Sequence, residues 1–128
     1  MPPLLSLSYT LQHSANEMLE QEAGVGLSAA RILSVLSGSA VSQKNIAVEL
    51  RQTEANVSRQ LQAMKKQGLV SITRNKKDSR QRDITLTTKG SKKNQLAAKA
   101  LRKQQSQFLR ILNAGESAAL EVAAKKLA

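Results

Sequence analysis

The stretch from Ser42 to Thr87 constrains this chain more than any other. In its first half apolar residues recur at helical spacing: Ile46, Ala47 and Leu50, then Val57, Leu61 and Met64. In its second half they fall at alternate positions: Val70 and Ile72, then Ile84 and Leu86. Ser42 and Thr53 stand where helix N-caps are expected, since a hydroxyl there accepts from an amide of the first turn. Gly68 stands where the second of these helices must stop. The order is helix over roughly 43 to 50, turn Arg51-Gln52-Thr53, helix, strand, polar loop from Asn75 to Gln81, strand. A helix pair followed at once by a two-stranded ribbon with a charged tip reads as a winged helix-turn-helix. The expected fold is mainly α with a small β-ribbon.

The flanks read as helical scaffolding. Residues 4 to 22 predict a helix whose stripe is Leu4, Leu7, Leu11, Ala15, Met18 and Leu19, with Pro2 and Pro3 before it and Gly24-Val25-Gly26 ending it. Burying its five large side chains is worth at most about 7–15 kcal/mol, so the stripe needs a partner surface. Ser28 is the expected N-cap of a second helix, roughly 29 to 37, with Ile32, Leu33, Val35 and Leu36 inward. Ala40-Val41 fits a very short strand pairing with the ribbon. Residues 89 to 112 predict a long helix with a thin seam of Ala97, Leu101, Phe108 and Leu112, and Gln104 where another apolar residue would fit. Asn113-Ala114-Gly115 breaks it before a last helix, 116 to 127, carrying Leu120, Ala123, Ala124 and Leu127. The expected layout is one domain over 1–128: a winged-helix core at 28–87 and dimerisation arms at 4–26 and 88–128. Leu4, Leu7, Leu11, Leu101, Phe108, Leu112, Leu120 and Leu127 are the dimerisation candidates. The alternative is a monomer whose arms fold back on the core.

Charge points to a partner. The chain of 128 residues has a formal net charge of +11. Residues 1 to 30 hold three glutamates and no cation, whereas residues 65 to 110 hold fourteen Lys or Arg against Asp78 and Asp83. Such clustering is the footprint of a polyanion, although a solvated surface would also be basic. There is no cysteine, which excludes disulfides, thiolate chemistry and Cys-ligated zinc. The one histidine, His13, has only Glu17 near it and reads as a surface or interface residue. No Gly-rich phosphate loop, carboxylate pair or metal-ligand cluster is present, so no enzyme, cofactor or metal is expected. No apolar run approaches the roughly 18 residues of a membrane span, and the N-terminus lacks the basic region of a signal peptide. A cytoplasmic, nucleoid-associated protein is expected. Tyr9 and Phe108 are the only aromatics, which disfavours a single-strand binder built on base stacking.

Duplex DNA fits better. Opposite Val57, Leu61 and Met64, the fourth helix presents Ala55, Arg59, Gln62 and Lys66, flanked by Asn56 and Ser58. A small, polar, basic face suits the major groove, where Asn, Gln and Arg read base edges. Asn56, Arg59 and Gln62 are the candidates for base readout. Thr53, Ser58, Lys66, Lys76, Lys77 and Arg82 are candidates for backbone contacts, with Arg74 also in the DNA-contact set. Arg80 is the candidate for the minor groove, and Asp78 for an internal partner that structures the wing. An ordinary amphipathic helix has the same periodicity; the ribbon after it separates the two readings.

In this setting the sequence resembles the MarR (multiple antibiotic resistance regulator) family from Leu27 to about Leu127. The resemblance is carried by Leu27-Ser28 at the second helix, Val57-Ser58-Arg59 with Met64 and Gly68-Leu69-Val70, Asp78-x-Arg80 in the wing, and Leu86-Thr87-Thr88-Lys89-Gly90. It implies a homodimeric transcription regulator on double-stranded DNA, six helices per subunit, with the wing arginine in the minor groove and often a small-molecule effector. The family's functional positions fall on Ser58, Arg59, Asp78 and Arg80. Two departures stand out. Gln52 and Gln60 occupy positions that are usually apolar, and an unpaired buried amide costs about 1–3 kcal/mol. The lack of cysteine excludes a thiol switch, and the scarcity of aromatics leaves no obvious stacking pocket for a phenolic effector.

The leading expectation is a regulator, most simply a repressor, that reads a pseudo-palindromic operator as a homodimer. The alternatives are a winged-helix protein–protein module, which would not need the charged wing, and an architectural binder with little sequence preference.

Overall fold

The computed structural model describes residues 1–128. Six helices and three short strands follow in the order α1 (Pro3–Ala23), α2 (Leu27–Val35), β1 (Val41–Ser42), α3 (Gln43–Leu50), α4 (Glu54–Lys66), β2 (Val70–Arg74), β3 (Arg82–Leu86), α5 (Thr88–Leu109) and α6 (Ala114–Leu127). The fold is mainly α with a three-stranded antiparallel sheet of order β1-β3-β2.

The helix-turn-helix is closed by local chemistry. Ser42 Oγ accepts from the Asn45 amide at 3.1 Å, and Thr53 Oγ1 from the Asn56 amide at 3.1 Å, so both caps form as the sequence predicts. Two helix ends use left-handed residues. Gly68 (φ 77°) follows α4, where its amide bonds Lys65 O and that of Leu69 bonds Met64 O. Arg51 (φ 55°) follows α3 in the same way, with bonds to Val48 O and from Gln52 to Ala47 O. An arginine holds the turn position that glycine takes without strain.

The sheet register aligns its inward residues. Ile84 on the central strand faces Val41 on one side and Ile72 on the other, while Val70 faces Leu86. Ile84 and Val70 are buried; Ile72 and Leu86 are half-buried against the same core. A cluster of 17 buried residues draws on every helix except α6 and on β2 and β3; Leu19, Ile32, Leu33, Ile46, Val57 and Leu61 are fully enclosed in it.

Several expectations change. The second helix starts at Leu27, so Ser28 lies inside it; Gly26 holds the cap position, and the Leu27 amide is bound at 2.9 Å by Asn16 Oδ1 of α1. That cap comes from eleven residues away in sequence. Val35 packs against the core but is only half-buried. Helix α5 ends at Leu109, so Leu112 lies in the connection, and Gly115 sits within the first turn of α6. Asn113 caps α6 through a reciprocal box with Glu116, which is what starts this helix before residue 116. In α5 the buried residues are Gly90, Ala97, Ala100 and Gln104; Leu101 and Phe108 are half-buried.

The arms divide. The C-terminal half of α1 (Ala15, Leu19, Ala23) packs within the chain, chiefly against α5. Gln104 takes its seam position by donating to Leu11 O at 2.8 Å. The N-terminal half of α1 leaves Leu4, Leu5, Leu7 and Tyr9 exposed, and α6 buries no residue, with Leu120 and Leu127 exposed.

Candidate nucleic-acid interface

Two elements converge on one polar surface: the outward face of α4 and the wing between β2 and β3. Val57, Leu61 and Met64 bury the inward side of α4, which fixes its rotation. Arg59, Gln62 and Lys66 are then exposed, and Ser58 and Asn56 are half-buried at the margins. Glu54 in the first turn and Lys65 and Lys66 in the last complement the helix dipole. Lys89 Nζ donates to Gln67 O at 2.8 Å, tying the start of α5 to the end of α4.

The side chain of Asn56 is not free. Its Nδ2 donates to Gln52 Oε1 at 2.9 Å, and its Oδ1 accepts from Arg59 at 3.4 Å. Gln60 also donates to Gln52 Oε1, at 2.7 Å. The two glutamines at usually apolar positions therefore pair with each other, although Gln60 Oε1 remains buried without a partner.

The wing is a built loop. Asn75 Oδ1 accepts from the amides of Lys77 (2.8 Å) and Asp78 (2.9 Å), an Asx turn. Asp78 Oδ1 accepts from the Arg80 amide at 3.0 Å and lies 3.5 Å from Arg80 Nε. At the base of the loop, Asp83 accepts from Asn75 Nδ2 at 2.9 Å and Gln81 Nε2 at 3.4 Å. Arg82 donates to Ser79 O at 3.2 Å. Sequence reasoning missed Asn75 and Asp83 as wing-structuring residues; an asparagine opening a polar loop was the available signal for the first.

These bonds leave the cations outward. The Arg80 side chain is 91% exposed, and Lys76, Lys77 and Arg74 are also exposed. Arg74 and Arg82 face each other across the ribbon. Like charges directly opposite destabilise a strand pair, unless an anion lies across them. Between wing and helix pair runs a polar cleft of about 330 Å³, lined by Lys44 and Asn45 of α3, Glu54 of α4 and Asp78, Arg80 and Arg82, with no apolar residue. Lys44 is a further cation at this surface that the sequence reading did not single out. No group of three or more His, Cys, Asp or Glu is placed to hold a metal. No helix is long and apolar enough to cross a membrane.

Comparison with known proteins agrees with this geometry. Residues 23–81 match a family model described as MarR family. Among solved structures, the chain is similar to MepR from S. aureus in complex with DNA: TM-score 0.82, 22% identity, over 97% of this chain and 92% of that one. It is similar to AbsC, a MarR family transcriptional regulator from Streptomyces coelicolor: TM-score 0.82, 22% identity, over 96% and 85%. It is also similar to a mutant MarR from E. coli complexed with operator DNA: TM-score 0.82, 19% identity, over 98% and 93%. No curated protein sequence matches the chain significantly. The family model lies over α2 to the wing, and the fold of these solved structures runs the length of the chain.

Proposed function

We propose that this protein is a transcription regulator that binds double-stranded DNA sequence-specifically, as a homodimer on a pseudo-palindromic operator, and acts as a repressor in a bacterial or archaeal nucleoid. The observation that carries the reading is the wing. Asn75, Asp78 and Asp83 use their acceptors internally, and the cations they organise are left pointing into solvent. A protein–protein module gains nothing from that arrangement. Arg59 and Gln62 lie on the face of α4 that would enter the major groove, with Asn56 at its edge. Lys66, Lys76, Lys77, Arg74, Arg82 and the hydroxyls of Thr53 and Ser58 would take phosphates, and Arg80 the minor groove. That MepR and the MarR mutant, which share the fold, were solved with DNA supports the reading. A homodimer would cover the exposed leucines of α1 and α6 and set two copies of α4 about one helical turn apart. A small effector, if one acts, would be sought in the crevice of about 340 Å³ lined by Tyr9, His13, Asn16, Leu27 and Arg31.

The test is selection of genomic fragments with purified protein, then affinity against salt for the enriched duplex and a scrambled control. A palindromic site bound at least a thousand-fold tighter than the control, with steep salt dependence, is the expected result. Equal, salt-sensitive binding to both would make the protein architectural. No binding at low salt would move it to the protein–protein class.

A further inference from the structure

The turn between α3 and α4 carries a hydrogen-bond relay that stability alone does not explain. Gln52 Oε1 accepts from Gln60 Nε2 at 2.7 Å and from Asn56 Nδ2 at 2.9 Å. Asn56 Oδ1 accepts from the Arg59 guanidinium at 3.4 Å. Four side chains thus form one line from the interior of the helix pair to the outward face of α4. Its inner end is unfinished, because Gln60 Oε1 is buried with no partner. An amide left half-satisfied in the interior costs stability, and an apolar residue of similar shape would remove that cost.

What the relay does supply is orientation. A carboxamide has an oxygen and an NH2 of nearly the same shape, so turning it over reverses donor and acceptor. Held by Gln52, the Asn56 amide turns Nδ2 inward and Oδ1 toward Arg59, and one Nδ2 proton stays free. An acceptor beside a donor is the pattern that pairs with N6–H and N7 of adenine in the major groove. Turned over, Asn56 Oδ1 would meet Gln52 Oε1, acceptor against acceptor. Gln60 in turn holds Gln52 with its oxygen toward Asn56.

We propose that Gln52 and Gln60 are positioning residues: they fix the Asn56 carboxamide and the Arg59 guanidinium, and so set the base preference of α4 without touching a base. This rests on the reading of α4 as the base-reading helix.

The experiment compares wild type, Gln52→Leu, Gln52→Glu and Gln60→Leu on the selected duplex and its scrambled control. Gln52→Leu is expected to lose about ten-fold or more in discrimination, with affinity for the scrambled duplex unchanged. Gln52→Glu keeps an acceptor for both donors, so discrimination is retained while its added negative charge lowers both affinities together. Gln60→Leu removes the unpartnered oxygen, so it melts no lower than wild type and still discriminates less well. In the free protein, the inward Nδ2 proton of Asn56 exchanges faster in Gln52→Leu than in wild type, as read by side-chain amide NMR. A Gln52→Leu protein that melts like wild type and discriminates as well overturns the positioning role and leaves the DNA reading standing. A wild type that fails to discriminate overturns the DNA reading, and this inference with it.

Discussion

Gly90 lies so close to Leu69 that a Cβ built on it would sit 1.9 Å from the Leu69 carbonyl oxygen. The approach is fixed on both sides. Thr87 bonds Leu69 O through its amide at 3.1 Å and Gly68 O through its hydroxyl, and the same hydroxyl accepts from the Gly90 amide at 3.0 Å. The start of α5 is thereby docked on the exit from α4. Gly90→Ala must push backbone from backbone, which places it at the upper end of overpacking costs, about 3 kcal/mol. The expected drop in melting temperature is roughly 10 °C. A melt within 2–3 °C of wild type would show that α5 is not anchored there.

Arg80→Ala removes a side chain that is 91% exposed and whose one ionic partner, Asp78, is 3.5 Å away. An exposed pair of that kind adds about 0–1 kcal/mol to stability, so the melt should barely move. Affinity for the selected duplex should fall about ten-fold or more. Lys76→Ala should instead weaken all duplexes alike and lower the salt slope by about one. Unchanged operator affinity in folded Arg80→Ala would remove the wing arginine from the interface.

Asp83 lies on the face of the ribbon opposite Ile84 and is assigned no DNA contact, yet Asp83→Ala should weaken binding. It frees the side chains of Asn75 and Gln81, which it holds at 2.9 and 3.4 Å. The wing cations then lose their fixed positions. The expected signature is amide exchange that quickens in residues 75–81 alone, with affinity reduced several-fold. Tighter binding would mean that the negative charge of Asp83 matters more than its bonds.

Much of this was legible in the sequence where the chemistry is local. Ser42 and Thr53 cap the helices they precede, the alternation at Val70, Ile72, Ile84 and Leu86 sets the ribbon, and Asp78 binds Arg80 two residues on. The failures share a cause. The α2 cap is supplied by Asn16, eleven residues away, and a hydroxyl at Ser28 hid that. The base of the wing depends on Asn75 meeting Asp83 across the hairpin, which only the register fixes. The Gln52–Gln60 pair spans a turn whose geometry rests on Arg51 in a left-handed conformation, a position where glycine would have been the signal. Position 90 read as part of a motif, but its reason is a contact with a backbone atom 21 positions earlier in the chain.

The last expectation concerns assembly. Helix α6 has 14 residues and buries none of them, while Leu120, Val122 and Leu127 on it and Leu4, Leu5 and Tyr9 on α1 are exposed. A helix of that length is marginal in water by itself, even with a capping box. A surface outside this chain would supply the missing stability, and the second copy proposed above would also bring two copies of α4 together. At micromolar concentration the protein should sediment at twice the chain mass of 13.9 kDa. The double variant Leu4→Glu, Leu120→Glu places charges in that contact. It should sediment as a monomer, lose helical signal equivalent to about one helix by circular dichroism, and bind the palindrome with the affinity of a half-site. Wild type that sediments as a monomer at tens of micromolar, with its helical signal complete, would rule out the two-fold arrangement and with it the palindromic operator.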